Sequence, residues 1–202
     1  MKEHKFFKCK SCGFDALVEY INFGQNPIST SYKSIPTDTH ITYKLSISIC
    51  DRCALAQLHD HIPETKLTNP PAWIRYNEPE LHLDAVVSEL LEFIGDKTTR
   101  IRGLSYKDQS TITRLKRLGY KDGQVYDFSL SRSYESPVNI ERLQKVVTSN
   151  NCCAIKSTQG EADVLLVRHV LEHTFNTSAF LSGIKALVSD SATIVFEVPD
   201  CF

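Results

Sequence analysis

Four of the seven cysteines lie in two C-x-x-C motifs, Cys9 with Cys12 and Cys50 with Cys53. Each motif places two thiolates on one tight turn, and together they offer the four sulfur ligands that Zn²⁺ binds in tetrahedral structural sites. The 37 residues between Cys12 and Cys50 leave room for the short strands of a ribbon or treble-clef module. Because four protein ligands leave no open position for water, we predict a structural zinc site.

Disulfides are the first alternative for these cysteines. Residues 1–10 contain no apolar signal-peptide core, and seven cysteines cannot all pair within one chain. Both observations favour a reducing cytoplasm over a secreted, disulfide-bonded protein. A rubredoxin-like iron site uses the same four thiolates, so the motifs leave zinc and iron open.

A second group of polar residues follows the predicted strands of the rest of the chain. In an open parallel sheet the ligand lies beyond the carboxyl ends of the strands, near the point where strand order reverses. Asp108 alone could be a helix N-cap, and Arg168 and Glu172 could pair on one helical turn. Together, the strand-end residues predict a ligand pocket; they are Gly103, Ser105, Lys107, Asp108, Asp127, Arg168, His169, Glu172, His173, Glu197 and Asp200.

The elements that must position these residues fall into three regions. Residues 1–62 carry both cysteine motifs, and Tyr43 to Ile49 alternates polar and apolar residues as a half-buried strand does. Residues 63–97 form a connector with Pro70, Pro71 and Trp73, followed by a helix. We expect that helix to begin at Asn77 and stop at Gly95, with one apolar stripe of Leu83, Val86, Val87, Leu90 and Ile94.

From residue 98 to 202, short apolar strands alternate with helices, a pattern typical of a parallel α/β sheet. The predicted strands are Ile101–Ser105, Gln124–Phe128, Cys152–Ile155, Asp163–Val167 and Thr193–Val198. The predicted helices begin near Asp108, at Ser136-Pro137 and at Thr177. Their inward residues are expected to be Ile112, Leu115 and Leu118, then Ile140, Leu143 and Val147, then Phe180, Leu181, Ile184 and Leu187.

Composition narrows the classes of partner. The chain has 202 residues, of which 42% are hydrophobic and 23% charged, as in ordinary globular proteins. The net charge of −1, with both signs interspersed, lacks the basic stripe of a nucleic-acid binder. No apolar run is long enough to span a bilayer. We therefore predict a cytoplasmic protein whose partner is a small molecule rather than nucleic acid or membrane, and the oligomeric state stays open.

The order of several motifs resembles one enzyme family. The pieces are Cys9-x-x-Cys12-Gly13, the stretch Asn22 to Pro27, Cys50-x-x-Cys53-x-Leu-x-Gln-Leu58, Arg168-His-Val-Leu-Glu-His173 and Phe196-Glu-Val-Pro-Asp200. In this order, and across nearly the whole chain, they are similar to the S-adenosylmethionine-dependent methyltransferases with an N-terminal zinc-binding domain. That group includes deoxysugar C-methyltransferases.

The resemblance implies an α/β chain in which a small zinc-ribbon-like β module precedes a partial Rossmann-like class I methyltransferase sheet. Gly103 and Ser105 would border the methionine part of S-adenosylmethionine, and backbone donors at the start of the Asp108 helix would suit its carboxylate. Asp127 would accept hydrogen bonds from the ribose hydroxyls. The remaining implied residues are Arg168 and His169 as walls of the cofactor site and His173 as the base near the substrate.

The chain departs from the family pattern in two places. The first strand is followed by a single glycine, Gly103, instead of a glycine-rich loop, although a serine can replace a glycine where φ stays negative. Family members continue through further strands, so we expect an incomplete C-terminal part and an exposed edge at the last strand. The predicted function is methylation of a small molecule, such as a nucleotide-linked sugar. The alternative is a noncatalytic zinc-binding module on a degenerate or incomplete methyltransferase domain.

Overall fold

The computed structural model describes residues 8–15, 17–28, 35, 41–60, 62–67, 79–130 and 140–199. The chain divides into two compact units, an N-terminal unit from Met1 to Pro70 and a sheet unit from Pro71 to Phe202. The predictions made for Trp73, Asn77, Ser136-Pro137 and Asp200 lie outside the described residues.

The N-terminal unit contains a three-stranded antiparallel sheet of order β1-β2-β3. Its elements are β1 (Leu17–Pro27), β2 (Thr42–Cys50), β3 (Ala56–Leu58) and a short helix, α1 (Glu64–Leu67). The prediction of a strand over Tyr43 to Ile49 is confirmed by β2. Along its second half the buried residues are Ser46, Ser48 and Cys50, whereas Ile47 and Ile49 are only partly buried. The face that points inward is therefore the serine face, which ends on a cysteine, and not the apolar face that the alternation favours.

The sheet unit contains four parallel strands and five helices within the described residues. They run in the order α2 (His82–Leu90), β4 (Ile101–Gly103), α3 (Gln109–Arg117), β5 (Gly123–Val125), α4 (Ile140–Val146), α5 (Ser149–Gln159), β6 (Ala162–Arg168), α6 (Thr177–Leu187) and β7 (Val188–Glu197). The strand order is β5-β4-β6-β7. This topology is Rossmann-like, so the predicted α/β class, a β module followed by a parallel sheet, is confirmed.

Buried side chains lie on both faces of the parallel sheet. One face packs Val87 and Leu90 of α2 and Ile112 of α3 against the strands. The other face packs Ile155 of α5 and Phe180 of α6 against them. Helix α2 therefore belongs to the core of the sheet unit. Because β6 is covered on both sides, its Val164–Val167 run is buried throughout.

One predicted strand is wrong. Residues Cys152–Ile155 lie inside helix α5, which is capped by the Thr148 hydroxyl accepting from the Asn151 N–H and ends before Gly160 with φ +79°. Cys152 and Ile155 are buried three residues apart, a spacing that fits a helix face. A short apolar run cannot distinguish a strand from one side of a helix, and only the caps do so here.

Smaller differences concern boundaries and burial. Strands β4 and β5 each span three residues, and Phe128, predicted to end a strand, begins a 3-10 turn, Phe128–Leu130. Leu118 and Leu181 were predicted to face inward but are 47% and 42% exposed. Strand β7 begins at Val188, before the predicted start.

Within the described residues, no helix combines the length and the apolar composition needed to cross a bilayer.

Candidate metal centre and strand-end site

The two cysteine motifs fold into turns of the same kind. In the first turn the Gly13 N–H donates to the Cys9 carbonyl at 2.9 Å, and in the second the Ala54 N–H donates to the Cys50 carbonyl at 2.8 Å. Gly13 and Ala54 both have positive φ, +72° and +59°. Each chain segment therefore reverses immediately after its second cysteine, and both sulfurs of the motif point to the same side.

The turns bring the four sulfurs together. All four Sγ atoms lie within 4.8 Å of one another, with 3.5 Å between Cys9 and Cys53 and 3.7 Å between Cys12 and Cys50. Tetrahedral Zn–S bonds of about 2.3 Å place sulfurs about 3.8 Å apart, so the cluster has the dimensions of a four-thiolate zinc site. The predicted ligand set is thus assembled by the fold.

The thiol chemistry is also that of a metal site. The backbone N–H of Cys12 is the main influence that lowers the pKa of Cys9 to about 6. The Leu55 N–H favours the Cys53 thiolate, but neighbouring thiols and burial outweigh it and raise the pKa of Cys53 to about 11. Four adjacent thiolates repel one another, and a bound divalent cation removes that repulsion. The residues therefore fit zinc in a structural role.

In the sheet unit, strand order reverses between β4 and β6, because β5 lies on one side of β4 and β6 on the other. The carboxyl ends of these strands carry most of the predicted site residues, and ligands of open α/β sheets bind at such switch points.

Asp108 closes the loop after β4. Its carboxylate accepts the N–H of Leu104 at 2.8 Å and that of Ser105 at 2.7 Å through one oxygen, and the N–H of Arg168 at 3.1 Å through the other. Burial is complete and raises the pKa of Asp108 to about 7, against the opposing effect of these donors. Asp108 therefore ties the ends of β4 and β6 together, and its carboxylate, predicted to lie at the cofactor site, is bonded to backbone amides of the protein.

Gly103 and Ser105 serve the same loop. A Cβ at Gly103 would lie 2.6 Å from the Asp108 Cβ, so the glycine is needed to admit that side chain. Ser105 has φ −134°, in the extended region that a serine adopts without strain. Its hydroxyl accepts the Lys107 N–H at 3.2 Å. Where a glycine-rich loop would have a second glycine, this chain has a turn that is capped by the Ser105 hydroxyl.

Asp127 lies just beyond the end of β5 and is exposed. One carboxylate oxygen accepts the Ser129 N–H at 2.9 Å and the Ser129 hydroxyl at 2.6 Å, and these bonds lower the pKa of Asp127. The side chain of Gln159 bonds both the N–H and the carbonyl of Asp127 at 2.9 Å. The result is a fixed, ionised and accessible carboxylate at the end of a strand next to β4.

Arg168, the last residue of β6, is buried in a network of charges. Its Nε donates to Glu197 Oε2 at 2.7 Å and its Nη2 to Glu197 Oε1 at 3.1 Å. Its Nη1 donates to Glu80 Oε1 at 3.3 Å and to the Lys107 carbonyl. Although burial opposes the charged form, Arg168 holds the pKa of Glu197 below its usual value. With its side chain 3% exposed, Arg168 joins three strand ends rather than lining an open surface.

His169 follows in a left-handed conformation, φ +55°. Glu197 contacts His169 twice. The backbone N–H of His169 donates to the Glu197 carbonyl at 2.9 Å, and Nε2 of His169 lies 3.0 Å from the Glu197 carboxylate. The Nδ1 atom lies 3.5 Å from Glu172 Oε1. A left-handed histidine costs free energy, and such residues concentrate at functional sites.

His173 ends the 3-10 turn Leu171–His173. Gln144 of α4 fixes this turn, since its amide donates to the His173 carbonyl and accepts the Phe175 N–H at 2.7 Å. The His173 side chain is partly exposed. A helix from elsewhere in the chain thus supports the residue predicted to be the base.

Several residues of this region were not predicted from the sequence. Glu80 and His82 belong to the segment that starts α2 and contact Arg168 and Glu197, whereas Gln144 and Gln159 fix two strand ends. Their sequence neighbours carry no recognisable motif. No local signal could have assigned them, because every contact joins residues at least 29 positions apart.

The two sites define a zinc-binding module followed by a Rossmann-like sheet with a polar switch point. Residues 9–67 match the family model Methyltransf_13, described as "Putative zinc binding domain". The match contains all four cysteines and ends before the parallel sheet. A search of curated proteins finds no match. The N-terminal unit is therefore similar to a zinc-binding domain whose family is named for methyltransferases.

Proposed function

We propose that the chain is an S-adenosylmethionine-dependent methyltransferase acting on a small molecule, with a nucleotide-linked sugar as the acceptor class and carbon as the methylated atom. The main support for this proposal is the position of Asp127. It is an accessible carboxylate at the end of β5, beside the switch point of a β5-β4-β6-β7 sheet. A carboxylate there suits the two hydroxyls of a ribose. The methyltransferase name of the matching domain supports the same class.

The strand-end residues divide between holding the site and facing a ligand. Asp108, Gly103 and Arg168 are buried and bonded to the protein, so they shape the site from behind. Asp127, His169 and His173 keep exposed surface, and under this proposal they face the cofactor and the acceptor. The residues therefore fit a nucleoside-bearing cofactor at the β5 end.

When bound, S-adenosylmethionine supplies an electrophilic methyl group on a sulfonium. The protein must then hold the acceptor in line with that methyl and remove the proton from the methylated atom. His173 is the proposed base, and Gln144 positions it by holding both sides of its turn. Four cysteines of the N-terminal unit would give zinc a full set of protein ligands, so the proposed role of the metal is structural.

Calorimetric titration of the zinc-loaded chain with S-adenosylmethionine tests the cofactor. We expect micromolar binding that weakens at least about tenfold in Asp127→Ala, because two hydrogen bonds to a charged acceptor are lost. Asp190→Ala is the matched control, since Asp190 is an exposed aspartate near the opposite end of the sheet, at the start of β7. Equal weakening in both variants, or none in either, would contradict the assignment of Asp127.

The alternative is a noncatalytic zinc-binding module on a degenerate methyltransferase sheet. The closed loop after β4 favours it, because Asp108 already occupies the amides of Leu104 and Ser105. Under this alternative, millimolar S-adenosylmethionine gives no heat, while zinc binding and folding are retained.

A further inference from the structure

The carboxylate of Glu197 contacts two imidazoles. Its Oε1 lies 3.2 Å from Nε2 of His82 on α2 and 3.0 Å from Nε2 of His169 after β6. Arg168 binds the same carboxylate through two nitrogens at 2.7 and 3.1 Å. A buried arginine therefore fixes a carboxylate, and the carboxylate fixes a histidine that comes from outside the sheet.

The fold does not need His82 at this place. Glu197 already receives two hydrogen bonds from Arg168, so its burial is compensated without a third partner. His82 is the first residue of α2, a position where acidic side chains stabilise a helix and imidazole does not cap it. Its side chain is 50% exposed and contributes little buried area. Apart from this contact with Glu197, stability gives no reason for a histidine here.

Chemistry gives a reason. An imidazole held through one nitrogen by an oriented carboxylate is the arrangement that presents the other nitrogen for proton transfer. Within the part of the chain that the structure describes, the hydrogen bonding of His82 runs through Nε2 to Glu197, which turns Nδ1 away from that partner. The charged and titratable side chains around the carboxylate are Arg168 and His169, with Glu80 next to Arg168 and Glu172 next to His169.

We propose that His82 is a second acid–base residue of the strand-end site, positioned by Glu197 and through it by Arg168, and that it serves a carbonyl oxygen of the methyl acceptor. This inference rests on the proposed function. A carbon beside a carbonyl becomes nucleophilic as its proton leaves and negative charge develops on the oxygen. His173 takes the C–H proton, and the Nδ1–H of His82 gives its proton to the oxygen to form an enol.

The proton balance then closes without another reagent. As the carbon takes the methyl group, the carbonyl re-forms and the O–H proton returns to His82 Nδ1. The C–H proton leaves His173 for water, so each turnover releases one proton and moves no electrons to or from the protein. His82 starts and ends each turnover with a proton on Nδ1, while the Glu197 carboxylate holds its Nε2.

Methyl transfer from labelled S-adenosylmethionine to a panel of nucleotide-linked keto sugars tests this role in the zinc-loaded full chain. We expect His82→Gln to lower kcat about 10²-fold with KM unchanged, because acid–base catalysis contributes at least that much. Glu89→Gln, an exposed change on the same helix, is the matched control and should leave kcat unchanged.

A double-variant cycle separates positioning from independent effects. Because Glu197 is proposed to act through His82, combining Glu197→Gln with His82→Gln should lower kcat no further than the larger single change. If Glu197→Gln fails to fold around Arg168, His82→Ala with added imidazole replaces it, and recovery of kcat by imidazole supports the role.

Two results would overturn the inference, and they are distinguishable. A wild-type chain that methylates a sugar, together with a His82→Ala variant of equal kcat, removes His82 and leaves the proposed function standing. A wild-type chain that neither binds S-adenosylmethionine nor transfers methyl removes the proposed function and this inference with it.

Discussion

The N-terminal unit and the sheet unit differ in what stabilises each of them internally. Among the described residues of the N-terminal unit, the buried apolar side chains are two cysteines, Cys9 and Cys50, and β1 exposes Tyr20 and Phe23. The sheet unit buries large apolar clusters on both faces of its strands. So little burial among the described residues offsets little of the entropy of ordering the chain, so we expect a metal to contribute much of the stability of this unit.

The two units also differ in where their ionisable groups lie and in how the charges are compensated. The N-terminal unit concentrates ionisable sulfur at one point, where a cation can neutralise it. The sheet unit buries Arg168 and Asp108 at the strand ends and compensates each with partners from the protein. The thiolates of the N-terminal unit therefore require a bound cation, whereas the buried charges of the sheet unit are compensated by its own residues.

Removing zinc is expected to have the largest effect. Chelation, or Cys50→Ser, should unfold the N-terminal unit, because structural zinc contributes about 10 kcal/mol or more to such folds. The sheet unit should stay folded on its own core. Amide hydrogen exchange should then show lost protection in β2 and retained protection in β6, with one equivalent of metal lost by elemental analysis.

Cys153→Ser is the matched control for that experiment, since Cys153 is an exposed free cysteine outside the cluster. It should retain the metal and both patterns of protection. Retained protection in β2 without zinc would show that the N-terminal unit does not depend on its metal, and the comparison between the units would fail.

Acid is expected to lower the stability of the sheet unit by protonating Asp163, which is paired with Arg100. Hydrogen bonds from Arg100 at 2.6 and 2.8 Å are the main influence that holds the pKa of Asp163 at about 2. A depressed pKa contributes stability above the unfolded value of about 3.9 and loses it as pH falls toward 2. Asp163→Asn should therefore flatten the fall in sheet-unit stability between about pH 4 and 2, measured by urea unfolding at a series of pH values. An unchanged slope would mean that other carboxylates govern acid stability.

The smallest expected effect compares the two cysteine turns. Gly13 and Ala54 occupy equivalent left-handed positions, which cost an alanine about 1–2 kcal/mol and a glycine almost nothing. Ala54→Gly should stabilise the zinc-loaded N-terminal unit and Gly13→Ala should destabilise it, each by about 1 kcal/mol after the unfolded-state entropy is included. No atom lies within 4 Å of a Cβ at Gly13, so a steric clash would not explain the loss. Thermal unfolding measures both changes, and shifts of the same sign would show that the turns are not equivalent.

Much of the fold could be predicted where a pattern is local. The alternation in β2, the Val-Leu-Leu-Val run of β6 and the apolar spacing of α6 each follow from contacts within one element. Helix α5 was missed because Cys152 to Ile155 is compatible with either structure, and its caps at Thr148 and Gly160 were not recognised.

The candidate sites show the same division. The spacing within each cysteine motif predicted a pair of metal ligands. Two such pairs supply the four thiolates of one zinc site, so the sequence also predicted that both motifs meet in one cluster. Asp108 and Arg168 were predicted to face a cofactor, but the structure gives both of them partners inside the protein. Which group a charged residue meets depends on the packing of strands that are distant in sequence.

Spacing along the chain was enough to predict the metal ligands, the α/β class and the strand ends on which polar residues lie. Three contacts depend instead on packing between distant segments: Asp108 binds the loop amides, Arg168 joins Glu197 to Glu80, and His82 reaches the end of β7. The physical reason is that burying a charge demands a partner at hydrogen-bonding distance. That partner can come from any part of the chain that folding brings near.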